Sequence, residues 1–442
     1  MAKHPLQVLR EALGLSEAGH ARLLAGTYQA LGHGVLSTWQ ARAAIRGTER
    51  DEPERSVQLA IAHIHHMGPE EVDQYGWPHF LLLATGDITP PTAPWPPAYT
   101  TASLRTIPYT AAFSPPTLTG AALTAFVRQT RATLAAAPSL RSHSGRPIGP
   151  DTVSALESRA AALRDMSRRL SPAALLAFAR TDLSLVTTVL NDNADDPAAR
   201  ARLFLAASKI AQRCGHVHCD LGDAAQAERY LLSAVRASAS AGAPVTAAAC
   251  LSDLAVVHTD DGDPRDALNL TKAARSLAPT PPPRLATVLH AREARAHARL
   301  RNATASLQAL DRAADTMTSD ADNESPWSFV SEEWLSEVTG KIWLHLGHPR
   351  KALENLLPLL DFNESRPSRQ PSCVADLLTQ TASAYLALDE VESALQSAHR
   401  TADLLHQIPA SLAFRYRRQF HHHRTAPAVR ELLDRLDPHG SQ

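Results

Sequence analysis

Apolar residues recur every three to four positions along most of the chain, and this spacing predicts amphipathic helices. Leu6, Leu9 and Leu13, for example, lie on one face of a first helix that ends at Gly14. No segment alternates apolar and polar residues as a half-buried strand does. The aromatic content of 5% also disfavours sheets. We therefore expect an all-α protein.

Breaks in the helical pattern divide the chain into five parts. Eight prolines lie in the second part, where missing N–H donors and fixed φ angles stop helices and indicate a semi-rigid linker with few contacts. The parts are a bundle of short helices (1–88), the Pro-rich linker (89–117), a helical lead-in (118–199), a repeated region (200–405) and C-terminal capping helices with a tail (406–442).

The repeated region contains the same pattern five times. Each copy has a small residue, a ring three positions later, a second small residue after twelve and Leu, Thr or Ala after sixteen, as two closely packed antiparallel helices require. The first small residues are Gly215, Ala255, Ala294, Gly340 and Ala382. The rings are His218, His258, His297, Trp343 and Tyr385. The second small residues are Ala227, Ala267, Ser306, Ala352 and Ala394.

The turns within the repeats share a pattern of their own. Gly222, Gly262 and Gly347 stand at one offset, where a left-handed glycine would end the first helix. Asp223 and Asp263 would cap the second helix. The whole pattern resembles the tetratricopeptide repeat, although the spacings of 40, 39, 46 and 42 residues exceed that family's period of about 34. An irregular helical bundle is the alternative.

Length, charge and cysteine content limit the function classes. A chain of 442 residues predicts at least two domains, and the net charge of −1 excludes a polybasic coat. Four cysteines cannot form a disulfide framework, and we find neither a secretory signal nor a membrane span, so a cytoplasmic protein is expected. Catalytic motifs are missing, so we expect no enzyme and no cofactor. Cys214 and His218 share a helix face, but packing explains His218, so no metal is expected.

A helix-turn-helix pattern lies near the amino terminus. The matching segments are Val35-Leu36-Ser37, Arg46-Gly47, Pro53 and Gln58-Leu59-Ala60-Ile61-Ala62. They resemble the XRE-type (phage-repressor-like) helix-turn-helix, with Ala44 and Ile45 where that family usually has a Trp-Glu pair. Together with Gly76-Trp77-Pro78-His79-Phe80-Leu81-Leu82, the Gly145-to-Val153 motif, the linker and the repeats, they resemble a family of actinobacterial XRE–tetratricopeptide transcriptional regulators.

This resemblance implies that the third helix enters the major groove of double-stranded DNA. Contacts to base edges are expected from Ser37, Thr38 and Gln40. Arg42 could reach a guanine or a phosphate, and contacts to phosphate are expected from Arg46 and Arg50. Trp39 is expected to pack against the preceding turn, and a contact with DNA is the alternative. Residues 1–88 hold 7 Lys/Arg against 10 Asp/Glu, so either two copies bind DNA together as a homodimer or the domain is an assembly module.

The first helices of the repeats would line a concave binding face. The residues predicted there are Lys209, Gln212, His216, Asp260, Arg295, Arg299, Glu337 and Lys341. Their cations could hold the carboxylates of an extended peptide. The order of domains is similar to that of peptide-sensing quorum regulators, which implies a ligand-switched regulator whose ligand is a peptide, a small molecule or a protein. The alternative is a tetratricopeptide adaptor that binds proteins and never DNA.

Overall fold

The computed structural model contains helices and connecting turns, with no strand among the residues that it describes. The fold class predicted from the sequence, all-α, is therefore confirmed for these residues. They are 5–12, 15–48, 53–65, 67–69, 72–73, 77, 80–81, 100–101, 104, 118–136, 149–167, 169–192, 196–317, 327–365, 371–404 and 410–436.

Four short helices form the amino-terminal bundle: α1 (Pro5–Ala12), α2 (Glu17–Ala30), α3 (Thr38–Thr48) and α4 (Arg55–Ile64). Helix α2 packs against both α3 and α4. Leu24, Ile45 and Ile61 are fully buried and form its centre. Ser16 caps α2, because its side chain accepts a hydrogen bond from the N–H of Gly19 at 3.1 Å.

Five helical hairpins follow one another between residues 197 and 404, where the sequence repeats. They are α8 (Pro197–Asp220) with α9 (Ala224–Ser240), α10 (Pro244–Asp261) with α11 (Pro264–Leu277), α12 (Pro283–Arg299) with α13 (Ala303–Asp315), α14 (Glu332–His345) with α15 (Pro349–Ser365), and α16 (Pro371–Leu386) with α17 (Val391–Leu404). The first helices of successive hairpins contact each other and so form one continuous surface, which we call the first-helix face.

Further helices lie on both ends of this stack. An additional hairpin, α6 (Pro150–Met166) with α7 (Pro172–Asp192), precedes α8 and packs on it. Helices α18 (Ala410–Gln419) and α19 (Pro427–Arg435) follow α17. Helix α7 is long and apolar enough to cross a membrane between Pro172 and Leu190. It nevertheless packs against its neighbours, and its buried Asp182 pairs with Arg159 of α6, as in a core helix.

The predicted small residues stand where the two helices of a hairpin touch. A Cβ atom added to Gly215 would lie 2.8 Å from Leu231, the residue sixteen positions later, and 3.4 Å from the carbonyl oxygen of Ala227. In the third hairpin, the Ser306 hydroxyl donates a hydrogen bond of 2.8 Å to the Ala294 carbonyl. The offsets of twelve and sixteen residues are therefore confirmed as contacts.

The turn within a hairpin uses one backbone conformation in four of the five copies. Gly222 and Gly347 have φ angles of +68° and +84°, and Arg301 and Asp389 adopt +59° and +62° at the same offset. The prediction of a left-handed Gly262 is wrong, because its φ is −122°. Only Gly262 and Asp263 separate α10 from α11, so an extended glycine closes this shorter turn. The capping prediction for Asp263 is confirmed by its bond to the N–H of Arg265 at 2.8 Å.

The described positions of the Pro-rich stretch are anchored on the second helices of the hairpins. Thr100 is buried, and its hydroxyl is hydrogen-bonded to Ser240 at 3.0 Å. Leu104 is also fully buried. Helix α5 (Gly120–Ala135) continues this path across α9 and α11. Buried hydroxyl and apolar groups hold the chain at these positions, whereas the linker predicted for 89–117 as a whole stays a prediction.

We predict that Gly340→Ala destabilises the stack, since its Cβ would lie 2.6 Å from Leu356. Overpacking of this kind costs about 1–3 kcal/mol, which exceeds the gain in helix propensity. The midpoint of chemical denaturation should fall. Gly26→Ala is the control, because α2 has open space at Gly26. It should leave stability unchanged or raise it slightly, and an equally tolerated Gly340→Ala would contradict the packing described.

The core of the amino-terminal bundle should weaken in acid because of His20. This residue is fully buried against His65, and neither of its ring nitrogens has a hydrogen-bond partner among the described residues. Burial, and then the nearby Arg10, lower the pKa of His20 from 6.5 to about 4. The unfolded chain therefore binds the proton first, so stability should fall as the pH drops from about 6.5 to 4, by about 2–3 kcal/mol.

Hydrogen exchange of the α2 and α4 amides in the full chain measures this loss. His20→Leu should flatten the dependence on pH, whereas His63→Leu, at an exposed position of α4, should leave it unchanged. Equal protection of parent and His20→Leu across this pH range would show that His20 does not control acid stability.

Candidate functional site

A capping box fixes the start of α3. The Gln40 amide oxygen accepts hydrogen bonds from the Ser37 N–H at 2.9 Å and from the Ser37 hydroxyl at 2.8 Å. In return, the Ser37 hydroxyl accepts from the Gln40 N–H at 3.2 Å. This reciprocal pattern satisfies two of the free N–H groups at the helix start. A bidentate contact of Gln40 with adenine would require the amide to leave this arrangement.

Five of the six predicted DNA-contacting residues are accessible. Ser37, Thr38, Gln40, Arg42 and Arg46 are exposed along the helix. The sixth predicted residue, Arg50, lies outside the described residues.

Glu17 at the start of α2 binds the two arginines of α3. Its Oε1 lies 3.3 Å from Nε of Arg42 and 2.8 Å from Nε of Arg46. All three side chains remain partly exposed, so the pairs are weak and exchange readily with other partners. Any anion that binds Arg42 and Arg46 would therefore have to compete with the carboxylate of Glu17.

Trp39 does not pack against the preceding turn, and that prediction is wrong. The residue is 77% exposed, because it is the second residue of α3 and lies away from the buried Ala41 and Ile45. Val35, in the turn before α3, is 81% exposed. The start of α3 thus presents two large apolar side chains to solvent.

On the first-helix face, Asp253 of α10 connects the three successive first helices α8, α10 and α12. Its carboxylate accepts hydrogen bonds from Gln212 (2.6 Å) and His216 (2.8 Å) of α8 and lies 2.7 Å from the Arg292 guanidinium of α12. Burial alone would raise the pKa of Asp253, but His216 and Arg292 outweigh burial and hold it well below its usual range. The carboxylate is therefore ionised and stabilises the alignment of α8, α10 and α12.

Asp376 plays the same part further along the stack. It lies 2.7 Å from Nζ of Lys341 in α14 and 3.3 Å from the guanidinium of Arg415 in α18. Burial would raise its pKa, but Lys341 and Arg415 outweigh that effect and lower it. Lys341 also pairs with Glu337 at 2.8 Å.

Four of the eight predicted ligand-binding residues thus pair with one another, and three more bind other groups of the stack. Arg295 pairs with Asp260 of the preceding first helix, and Arg299 donates to the Thr259 carbonyl at 2.9 Å. Lys209 is exposed. A ligand carboxylate would therefore have to compete with Asp260, Glu337 and Asp376 for the predicted cations. The predicted packing of His218 is confirmed, because this buried ring stacks on Tyr230.

The sequence analysis did not identify Asp253 and Asp376, the two carboxylates that each connect several helices of this region. Asp253 stands two positions before the first small residue of its repeat, where Arg213 and Arg292 stand in the neighbouring repeats. This alternation of charge in one column is a signal that could have identified it.

A separate cavity of about 440 Å³ lies between α11 and α12. Its lining includes Lys272, Arg275 and His290 over an apolar floor with Leu289. It contains none of the predicted ligand-binding residues.

No protein-family model matches the chain, and no curated protein matches its sequence.

Replacing Asp253 should destabilise the stack. In Asp253→Asn the guanidinium of Arg292 loses its carboxylate partner, and removing one partner of a largely buried pair costs about 3 kcal/mol. The thermal midpoint of the full chain should therefore fall by roughly 5–10 °C. Asp311→Asn, at an exposed position of α13, should shift it by less than about 1 °C. Equal midpoints for both variants would show that Asp253 does not hold the three helices together.

Proposed function

We propose that the protein is a cytoplasmic, DNA-binding transcriptional regulator whose hairpin stack senses a ligand. The accessible start of α3 carries the proposal: Ser37, Thr38 and Gln40 are exposed there, with Arg42 and Arg46 behind them on the same helix. The major groove of duplex DNA admits an α-helix, and its base edges offer partners for hydroxyl, amide and guanidinium groups. This arrangement supports the resemblance to XRE-type regulators.

Glu17 makes this proposed binding conditional. Before Arg42 and Arg46 can contact phosphates, they must release the carboxylate of Glu17. The affinity of one copy is therefore weak, and two copies acting as a homodimer add two weak half-sites.

The first-helix face supports the sensing part of the proposal. Asp253 and Asp376 each connect three helices of the stack through charged contacts. A peptide, small molecule or partner protein that binds Arg295, Arg299 or Lys341 would replace some of these contacts and change how neighbouring hairpins align. Changed alignment would alter the spacing of two DNA-binding regions in a dimer.

One observation favours an alternative function. Residues 1–88 contain more acidic than basic residues, and Glu17 pairs with both arginines of α3. A tetratricopeptide adaptor would bind proteins through both the amino-terminal bundle and the hairpin stack. It would need no further cations on α3.

Glu17→Gln should strengthen binding to duplex DNA, because it frees Arg42 and Arg46 for phosphates. Exposed pairs of this kind are worth up to about 1 kcal/mol, so affinity for a mixed-sequence duplex should rise about two- to fivefold. Arg46→Ala should weaken binding to all sequences and reduce the salt slope by about one. Gel shifts of the full chain at several salt concentrations measure both effects.

Asp73→Asn is the matched control. It changes the net charge by the same amount as Glu17→Gln but frees Arg55 of α4, with which Asp73 pairs at 2.6 Å. It should leave DNA affinity nearly unchanged. If neither parent nor Glu17→Gln binds duplex at low salt, the adaptor function replaces the regulator.

A further inference from the structure

Exposed apolar side chains concentrate around the turn between α2 and α3. Eight large apolar residues are exposed among the described residues, and four of them, Leu23, Leu31, Val35 and Trp39, lie within 17 positions. Val35 and Trp39 have the highest exposure of the eight, at 81% and 77%. Clusters of this kind mark surfaces that bind another molecule. Gln40 is held in the capping box, and Arg42 and Arg46 pair with Glu17. Trp39 is the large side chain at the start of α3 that has no local partner among the described residues.

The other residues on this face of α3 restrict the partner. Trp39, Arg42 and Arg46 stand at i, i+3 and i+7 and therefore share one side of the helix. The partner must offer an apolar group to the indole and an anion to the guanidiniums. A second copy related by a two-fold axis through this side would bring the arginines of both copies together, which like-charge repulsion disfavours.

Duplex DNA offers both groups at the required places. Phosphates line the rim of the major groove, and the 5-methyl group of thymine projects into it as the apolar feature of its floor. A helix that enters the groove by its amino-terminal end would bring Trp39 and Val35 to the bases. Arg42 and Arg46, further along the helix, would lie nearer to the backbone.

We propose that Trp39, together with Val35, reads thymine methyl groups in the major groove, and that Arg42 and Arg46 exchange Glu17 for the flanking phosphates. This inference rests on the proposed DNA-binding function and adds that the bound site contains thymines opposite the start of α3. Sequence preference then comes from an apolar contact at Trp39, while Gln40 stabilises the end of the helix that presents it.

Thymine-to-uracil replacement tests the proposal, because dU lacks the methyl group and keeps every hydrogen-bonding group of dT. A site is first selected by the full-length protein from a pool of random duplexes, and each dT is then replaced in turn. Parent affinity should fall about fourfold at one or two positions, as expected for one lost methyl contact. Trp39→Ala should lose most of this difference between the dT and dU forms of the site.

Leu23→Ala is the control, since it removes another exposed apolar residue of the same region and should keep the discrimination between dT and dU. Hydrogen exchange of α2 and α4 confirms that Trp39→Ala is folded. If the parent binds its selected site but never distinguishes dT from dU, the methyl contact is overturned and DNA binding stands. If Trp39→Ala keeps the discrimination and dissociates a dimer in sedimentation, the surface belongs to a second copy and the proposal fails. If no site can be selected, the proposed function itself fails.

Discussion

The close approach of the two helices in each hairpin is the constraint on which the stack depends. At Gly215 and Gly340 there is no room even for a methyl group beside Leu231 and Leu356. At the same register in the third hairpin, Ser306 donates directly to the backbone carbonyl of Ala294. Because the two helices of each hairpin approach this closely, the first helices of successive hairpins can stack into one continuous face. The short turns between the two helices use left-handed backbone even at Arg301 and Asp389.

Internal carboxylates neutralise cations in two regions of the molecule. On the first-helix face, Asp253 binds the cation Arg292, and Asp376 binds Lys341 and Arg415 from the helices on either side of it. Beside α3, Glu17 does the same for Arg42 and Arg46. A binding partner at either place must therefore replace an internal carboxylate, so ionic strength and competing anions will affect both regions. Internal competition of this kind lowers affinity and makes binding responsive to small changes in alignment.

The sequence predicted the local features well and the long-range pairs poorly. Periodicity and small residues located the five hairpins, and Asp223 and Asp263 were identified as caps because capping depends on neighbours within a few positions. The Ser37–Gln40 capping box was equally readable, but Gln40 was interpreted only as a base reader. The contact between Glu17 and Arg46 spans 29 positions, so no periodic pattern could reveal it. The exposure of Trp39 depends on which side of α3 meets α2, which local pattern does not determine.

Selection of duplexes from a random-sequence pool by the full chain tests directly whether α3 recognises DNA sequence. We expect enrichment of a specific site, with binding that weakens steeply as salt rises because several phosphates are contacted. Trp39→Ala combined with Arg42→Ala should remove the enrichment while the chain stays helical. A pool that shows no enrichment at low salt, from a folded parent protein, would contradict DNA recognition by α3.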